Sequence, residues 1–298
     1  MNKVTLQGRV ALVTGAGGGL GRSHALWLSK MGASVVVNDV GGSVMGVGHD
    51  ATRAQETVAL IQSSGGQSVA DASSVETLEG AQQMVETAVK SFGRLDIVVN
   101  NAGILRDGSF AKQDDEMWES VVRVHLTGSR HVTKAAWKIM CDQKYGRIVM
   151  TSSASGLYGN FGQSNYAAAK MGVVGLMNAL KEEGAKYNIK INAIAPMAKS
   201  RMTESILPEE ILEKLDPRFV SPVVAYLCSE SCEVSGQCWA VGGGRVSRVS
   251  VMESPGVFLP SMNVEDIAQN LEKITSLEGA EAVSNLSEAA SRLLREPS

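Results

Sequence analysis

The chain has 298 residues, 44% hydrophobic and 20% charged, with 28 Lys and Arg against 31 Asp and Glu for a formal charge of −3. That balance supplies material for a sizeable core and excludes a disordered or fibrous chain. The lack of a basic surplus and an aromatic content of 5% argue against nucleic-acid binding. No apolar run reaches the roughly 20 residues that a membrane span requires. The four cysteines, at 141, 228, 232 and 238, are too few and too scattered for a disulfide framework. Cys228, Cys232 and Cys238 lack a CxxC pair and a following histidine, and read as buried thiols rather than zinc ligands. The N-terminus runs into a strand pattern with no signal peptide ahead of it, so a reducing, cytoplasmic setting is expected.

In chain order, Val10-Ala11-Leu12-Val13-Thr14 reads as a buried strand and 20–31 as a helix. Ser34-Val35-Val36-Val37-Asn38 is a second strand, followed by a helix near 51–62, a weak strand near 67–70 and a helix over 78–92. The strand 96–100 leads to a helical stretch over 115–142, the strand 147–151, a long helix over 164–187 and the strand 189–195. Cys238-Trp239-Ala240-Val241 closes the series. Continuous apolar strands alternating with helices imply a parallel sheet buried on both faces, hence an α/β doubly wound, Rossmann-like sheet. The expected division is one such domain over 1–250 and a C-terminal helical extension over 251–298, too small for its own core. A capped helix start is expected at Asn263-Val264-Glu265-Asp266.

Two groups of residues carry chemistry. Thr14-Gly15-Ala16-Gly17-Gly18-Gly19-Leu20-Gly21 joins the first strand to a helix, where glycines let backbone amides approach a pyrophosphate at the positive helix end. The second strand ends in Asn38-Asp39, where a carboxylate accepts hydrogen bonds from an adenosine ribose and repels a 2′-phosphate, favouring NAD over NADP. Arg22, in the first helical turn, is the one nearby cation that opposes this preference. The second group is Tyr166-Ala167-Ala168-Ala169-Lys170, with Ser152-Ser153 at the end of an upstream strand. Tyr166 and Lys170 share a helix face. A lysine ammonium together with a nicotinamide cation is expected to lower the phenol's pKa, letting Tyr166 exchange a proton with an alcohol or ketone oxygen that Ser153 also holds.

Together these motifs resemble the short-chain dehydrogenases/reductases over roughly 8–244. The matching pieces are Thr14-Gly15-xxx-Gly19-x-Gly21, Asn100-Asn101-Ala102-Gly103, Ser153 and Tyr166-xxx-Lys170. The resemblance implies Tyr166 as acid/base, Ser153 as substrate-orienting donor and Lys170 as a second contact to the nicotinamide ribose. It also implies a cofactor pocket shaped by Gly15, Gly19, Leu20, Gly21, Asp39, Ser74, Val75, Asn101, Gly103 and Pro196, together with Tyr166 and Lys170. Longer stretches are similar to the (3R)-hydroxyacyl-CoA dehydrogenases found within the peroxisomal multifunctional enzyme type 2 and as separate bacterial enzymes. These are 38–42, 101–107, 123–126, 156–163 and 200–203. That resemblance implies NAD-dependent oxidation of (3R)-3-hydroxyacyl-CoA in fatty-acid metabolism. Its alternatives are a hydroxysteroid or an acyl-carrier-protein thioester as substrate, and, from another class, a NAD-binding regulator without turnover.

Some positions depart from the family pattern. His125 stands where many members carry an asparagine that supports a proton relay; it either replaces that residue or is a packed histidine. The adenine-side contact falls on Asp71 or, by alignment of Ser74-Val75 with the closer relatives, on Ser73. Lys199 and Arg201 either meet CoA phosphates or are solvated charges. The chain ends Arg295-Glu296-Pro297-Ser298 without a peroxisomal tripeptide, so a separate bacterial enzyme is expected, with an excised domain of the peroxisomal matrix as the alternative. Apolar faces on the two long helices predict a homodimer or homotetramer.

Overall fold

The computed structural model describes residues 4–198 and 209–294. The chain divides into two compact units, Met1–Arg248 and Val249–Ser298. The first unit runs β1 (Val10–Thr14), α1 (Gly19–Lys30), β2 (Ser34–Asn38), α2 (Thr52–Ser63), β3 (Ser68–Asp71), α3 (Leu78–Phe92) and β4 (Ile97–Asn100). It continues through α4 (Asp115–Val122), α5 (Gly128–Gln143), β5 (Gly146–Thr151), α6 (Ala154–Tyr158), α7 (Ser164–Gly184), β6 (Ile189–Pro196), α8 (Glu209–Leu212), α9 (Ser221–Leu227), β7 (Cys238–Gly242) and β8 (Arg245–Val249).

The sheet order is β3-β2-β1-β4-β5-β6-β7-β8, and every pairing from β3 to β7 is parallel. Side chains alternate between the two faces as the pleat requires. Ala11, Val13, Val35, Val37, Ile97 and Val99 join the core shared with α1, α2 and α9. Leu12, Val36 and Val98 between them are equally buried, under the layer of α3, α5 and α7. Burial on both faces is why these strands read as unbroken apolar runs. Between β1 and β4 the chain order reverses direction across the sheet, and that switch opens a crevice at the carboxyl ends of the strands.

Three elements differ from the sequence expectation. The sheet does not end at the seventh strand. Gly243 and Gly244, both at positive φ (55° and 80°), make a two-residue turn that returns the chain as β8. The helix expected over 115–142 is broken by a π-helical turn at Arg123–Thr127, and that over 164–187 ends at Gly184 with a 3₁₀ turn at Ala185–Tyr187. Hydrophobic periodicity averages over several turns and is blind to a single widened or tightened one.

The second unit contains β9 (Met252–Glu253), α10 (Val264–Gln269), α11 (Leu271–Thr275), β10 (Glu281–Ala282) and α12 (Leu286–Leu293), with β9 and β10 antiparallel. None of its described residues is buried. Its helices rest on local capping. Asn263 and Asp266 form a reciprocal capping box at the start expected from the sequence, and Asn285 accepts from the Glu288 amide at 2.9 Å.

Candidate active site

A cleft of about 640 Å³ lies along the carboxyl ends of the central strands. Its floor is the turn from β1 into α1. Gly15 sits at φ 65°, and a Cβ there would lie 2.8 Å from the Ala102 Cα; a Cβ at Gly21 would lie 2.2 Å from the Gly15 carbonyl oxygen. Only glycine permits this approach. Gly18 precedes α1 with no side-chain cap, so the first-turn amides are not consumed. Asn101, just after β4, donates from Nδ2 to the carbonyls of Thr14 (2.9 Å) and Gly15 (3.2 Å), clipping the turn to the neighbouring strand. Asp39 tightens the other side, accepting from the Gly17 amide at 2.8 Å and the Gly41 amide at 2.7 Å.

The opposite part of the cleft is built on β5 and α7. Ser153 follows β5 and caps α6, its Oγ accepting from the Ser155 amide at 3.2 Å. Tyr166 and Lys170 project together from the first turns of α7, with the Lys170 Nζ 5.5 Å from the Tyr166 ring centroid. Lys170 is 4% exposed, donates to the Thr151 carbonyl at 2.6 Å and faces no carboxylate among the described residues. Burial therefore pushes its pKa down to about 7. Burial also pushes Tyr166 upward, opposed by a hydrogen bond with Ser153 and reinforced by the charge of Asp107. In the protein without its nucleotide the phenol is thus raised, whereas the lowering expected from the sequence included the charge of a nicotinamide cation. Desolvation disfavours both charged forms, and the lysine, itself biased toward neutrality, does not offset it.

His125 is 2% exposed and stands edge-on to the Tyr166 ring at 5.0 Å. Its Nε2 lies 2.8 Å from the Ile104 carbonyl and 3.1 Å from the Ile104 amide, while Nδ1 is buried without a partner. Burial, with Lys170 nearby, holds its pKa well below the usual histidine value. It is a neutral, packed imidazole, and Nδ1 is the one atom left for a relay. A polar girdle that sequence reasoning missed fixes the start of α7. Asn165 donates to the carbonyls of Arg106 and Met117 (3.0 Å each), and Gln163 donates to Asp107 at 2.8 Å. Gln113 donates to the carbonyl of Gly108 at 2.9 Å and to Asn165 Oδ1 at 3.2 Å. The only sequence signal was a polar residue at 165, immediately before Tyr166 and fully buried in the fold.

Of the site residues expected from the sequence, Gly15, Gly19, Leu20, Gly21, Asp39, Ser74, Val75, Asn101, Gly103, Ser153, Tyr166, Lys170 and Pro196 line this one cleft. Ser73 lines it too. Asp71 instead spends its carboxylate on Asn38, the Ser73 amide and Thr87, at 2.9 Å each, and is structural. Lys199, Arg201 and the stretches 200–203 and 295–298 lie outside the described residues. The donors suit a dinucleotide. No atom lies within 4 Å of where a Cβ would stand at Gly18 or Gly19, leaving room at the helix end, and Asp39 offers a carboxylate beside it. Arg22 is occupied by the Gly17 carbonyl (2.5 Å), Thr57 (3.0 Å) and Glu56 (2.9 Å). Arg53, unremarked in the sequence, comes close to Asp39 across Gly17.

A parallel sheet of this order with a glycine turn, a strand-end serine and a Tyr/Lys helix pair around one cleft defines a nucleotide-dependent oxidoreductase acting on CH–OH groups. Residues 9–211 match the short chain dehydrogenase family, and the chain belongs to that family. It is 53% identical over 276 residues to a short-chain type dehydrogenase/reductase of Mycobacterium tuberculosis, covering 92% of this chain and 96% of that one. It is 50% identical over 286 residues to the mouse peroxisomal multifunctional enzyme type 2, covering 95% of this chain but 38% of that protein. The full-length Drosophila melanogaster enzyme of that type superposes with a TM-score of 0.83 at 39% identity, over 98% of this chain and 49% of the other.

Proposed function

We propose that this dehydrogenase interconverts (3R)-3-hydroxyacyl-CoA and 3-oxoacyl-CoA with NAD as its nucleotide. The observation that carries the reading is the placement of Ser153, Tyr166 and Lys170 in the same cleft as an uncapped glycine turn flanked by Asp39. The nicotinamide, when bound, supplies or accepts the hydride. The glycine turn and the first amides of α1 would hold the pyrophosphate, Asp39 would accept from the adenosine ribose, and Pro196 would lie at the nicotinamide end. Ser153 donates to the substrate oxygen while Tyr166 holds or takes the proton on that same oxygen. Lys170, anchored on the Thr151 carbonyl, would hold the nicotinamide ribose.

In the nucleotide-free protein burial raises the Tyr166 pKa. The protonated phenol donates to a ketone near neutrality, whereas alcohol oxidation requires it to lose its proton first and so accelerates as pH rises. The decisive assay offers the purified protein (3R)- and (3S)-3-hydroxybutyryl-CoA with NAD, beside a hydroxysteroid panel and an acyl-carrier-protein thioester. Preference for the R isomer is expected, and preference for S would overturn the substrate reading. Tyr166→Phe should abolish turnover and retain NADH binding; an undiminished rate would refute the acid/base role. A non-catalytic NAD sensor has no use for the Ser153/Tyr166 proton pair. The apolar long-helix faces support a homodimer or homotetramer, which sedimentation equilibrium would resolve.

A further inference from the structure

At the other end of the strands lies a second cavity of about 510 Å³. It sits where β1, β4, β5 and β6 begin, so it is separated from the cleft by the length of the strands, roughly 15–20 Å. Its walls carry Arg9, Arg94, Lys144, Arg147 and Lys190 against Glu230 and Glu233. The charges are unequally matched. Arg9 and Arg94 share the buried Asp96 (3.0 and 2.6 Å), and Arg9 also meets Glu230. Among the described residues no carboxylate pairs with Lys144, Arg147 or Lys190. Lys190 donates only to the Cys232 carbonyl at 2.9 Å.

Arg147 is the telling member. It is 2% exposed, yet its hydrogen bonds go to backbone carbonyls alone: Ser229 from Nε, and Gly146 and Asn188 from Nη1. Among the described residues its Nη2 makes no hydrogen bond. The Tyr145 ring lies between two guanidinium groups, 3.7 Å from Arg9 and 4.3 Å from Arg147, and the Tyr145 hydroxyl is buried without a partner. A buried guanidinium without a counter-ion is costly, and buried charges are ordinarily paired. Here the missing negative charge has a polar cavity in which to sit.

We propose that this cavity is a binding site for a small polyanion carrying a pyrophosphate group, held by Arg147, Lys144 and Lys190. The chemistry follows from the planar guanidinium, which suits phosphate oxygens, flanked by two point-charge ammonium groups. The volume exceeds what a single phosphate occupies. The site is independent of the cleft, which uses none of these residues.

The test is calorimetric titration of the full chain with inorganic pyrophosphate at about 0.15 M salt, where long-range surface attraction is screened within ~8 Å. The comparison variant is Lys144→Asn with Lys190→Gln. Asparagine tolerates the left-handed backbone of Lys144 (φ 53°), and glutamine retains a donor for the Cys232 carbonyl. Thermal midpoints confirm that the variant folds. Saturable binding by the parent, unaffected by saturating NADH and weakened at least tenfold in the variant, is expected. Absence of saturable binding overturns the proposal, as does binding that NADH displaces and the variant leaves unchanged, since that places the anion on the glycine turn. Inorganic phosphate binding as tightly as pyrophosphate would overturn the two-phosphate assignment. Adenosine 5′-diphosphate added to NADH-saturated protein distinguishes a nucleotide source from the free anion, the tighter ligand naming it.

Discussion

Gly103 is a place where the cleft depends on an absent side chain. A Cβ added there would lie 2.3 Å from the Cε1 of His125 and 3.0 Å from its Nδ1. The imidazole cannot retreat freely, because Nε2 is tied to the Ile104 backbone and the ring's far side packs edge-on against Tyr166. Gly103→Ala therefore forces His125 out of place, at a cost of about 1–3 kcal/mol for overpacking a filled core. In a chain of this size that corresponds to a fall of roughly 2–4 °C in Tm per kcal/mol. It should also disturb Tyr166 and depress kcat more than nucleotide affinity. Shortening the neighbour relieves the clash. His125→Asn is destabilising by itself, yet combined with Gly103→Ala it should recover stability relative to the sum of the single changes. The coupling energy from a urea-unfolding double-mutant cycle is expected between about 0.5 and 3 kcal/mol. Additivity within about 0.3 kcal/mol would refute the contact argument.

Three other perturbations are informative. Asp96→Asn leaves Arg9 and Arg94 without their shared carboxylate and should cost about 3–5 kcal/mol of stability, read from urea midpoints; a loss under 1 kcal/mol would mean the pair is solvated. Lys170 titrates near 7 when folded and near 10.5 when unfolded, so between those values unfolding takes up a proton and stability rises with pH. The parent should therefore gain about 1 kcal/mol per pH unit over Lys170→Met between pH 7.5 and 9.5, and parallel profiles would contradict the buried-amine reading. Asp39→Ala removes the carboxylate proposed to set nucleotide preference and leaves Arg53 nearby. NADPH binding should tighten relative to NADH by about tenfold in paired fluorescence titrations, and an unchanged ratio would show that Asp39 does not discriminate.

Much of this protein was legible in one dimension because its chemistry is local. The glycine turn needs glycines at fixed spacing, since Gly15 and Gly21 touch each other's backbone. The Tyr166/Lys170 pair needs only the helical period. Apolar strands buried on both faces announce a parallel sheet without any knowledge of partners. What the order of residues left open depended on distant neighbours. Whether Asp71 faces the cleft was decided by Asn38 and Thr87, and whether Arg22 is available was decided by Glu56 and Thr57. His125 became a packed neutral ring because Ile104 and Tyr166 enclose it. The balance at Tyr166 in the nucleotide-free protein was set in the same way. Charge proximity along a helix can be counted from a sequence, but desolvation is set by everything that surrounds a group, and only the folded chain specifies that. Arg147 belongs to this second kind: that no carboxylate among the described residues pairs with it shows only after four strand ends and a loop have gathered around it.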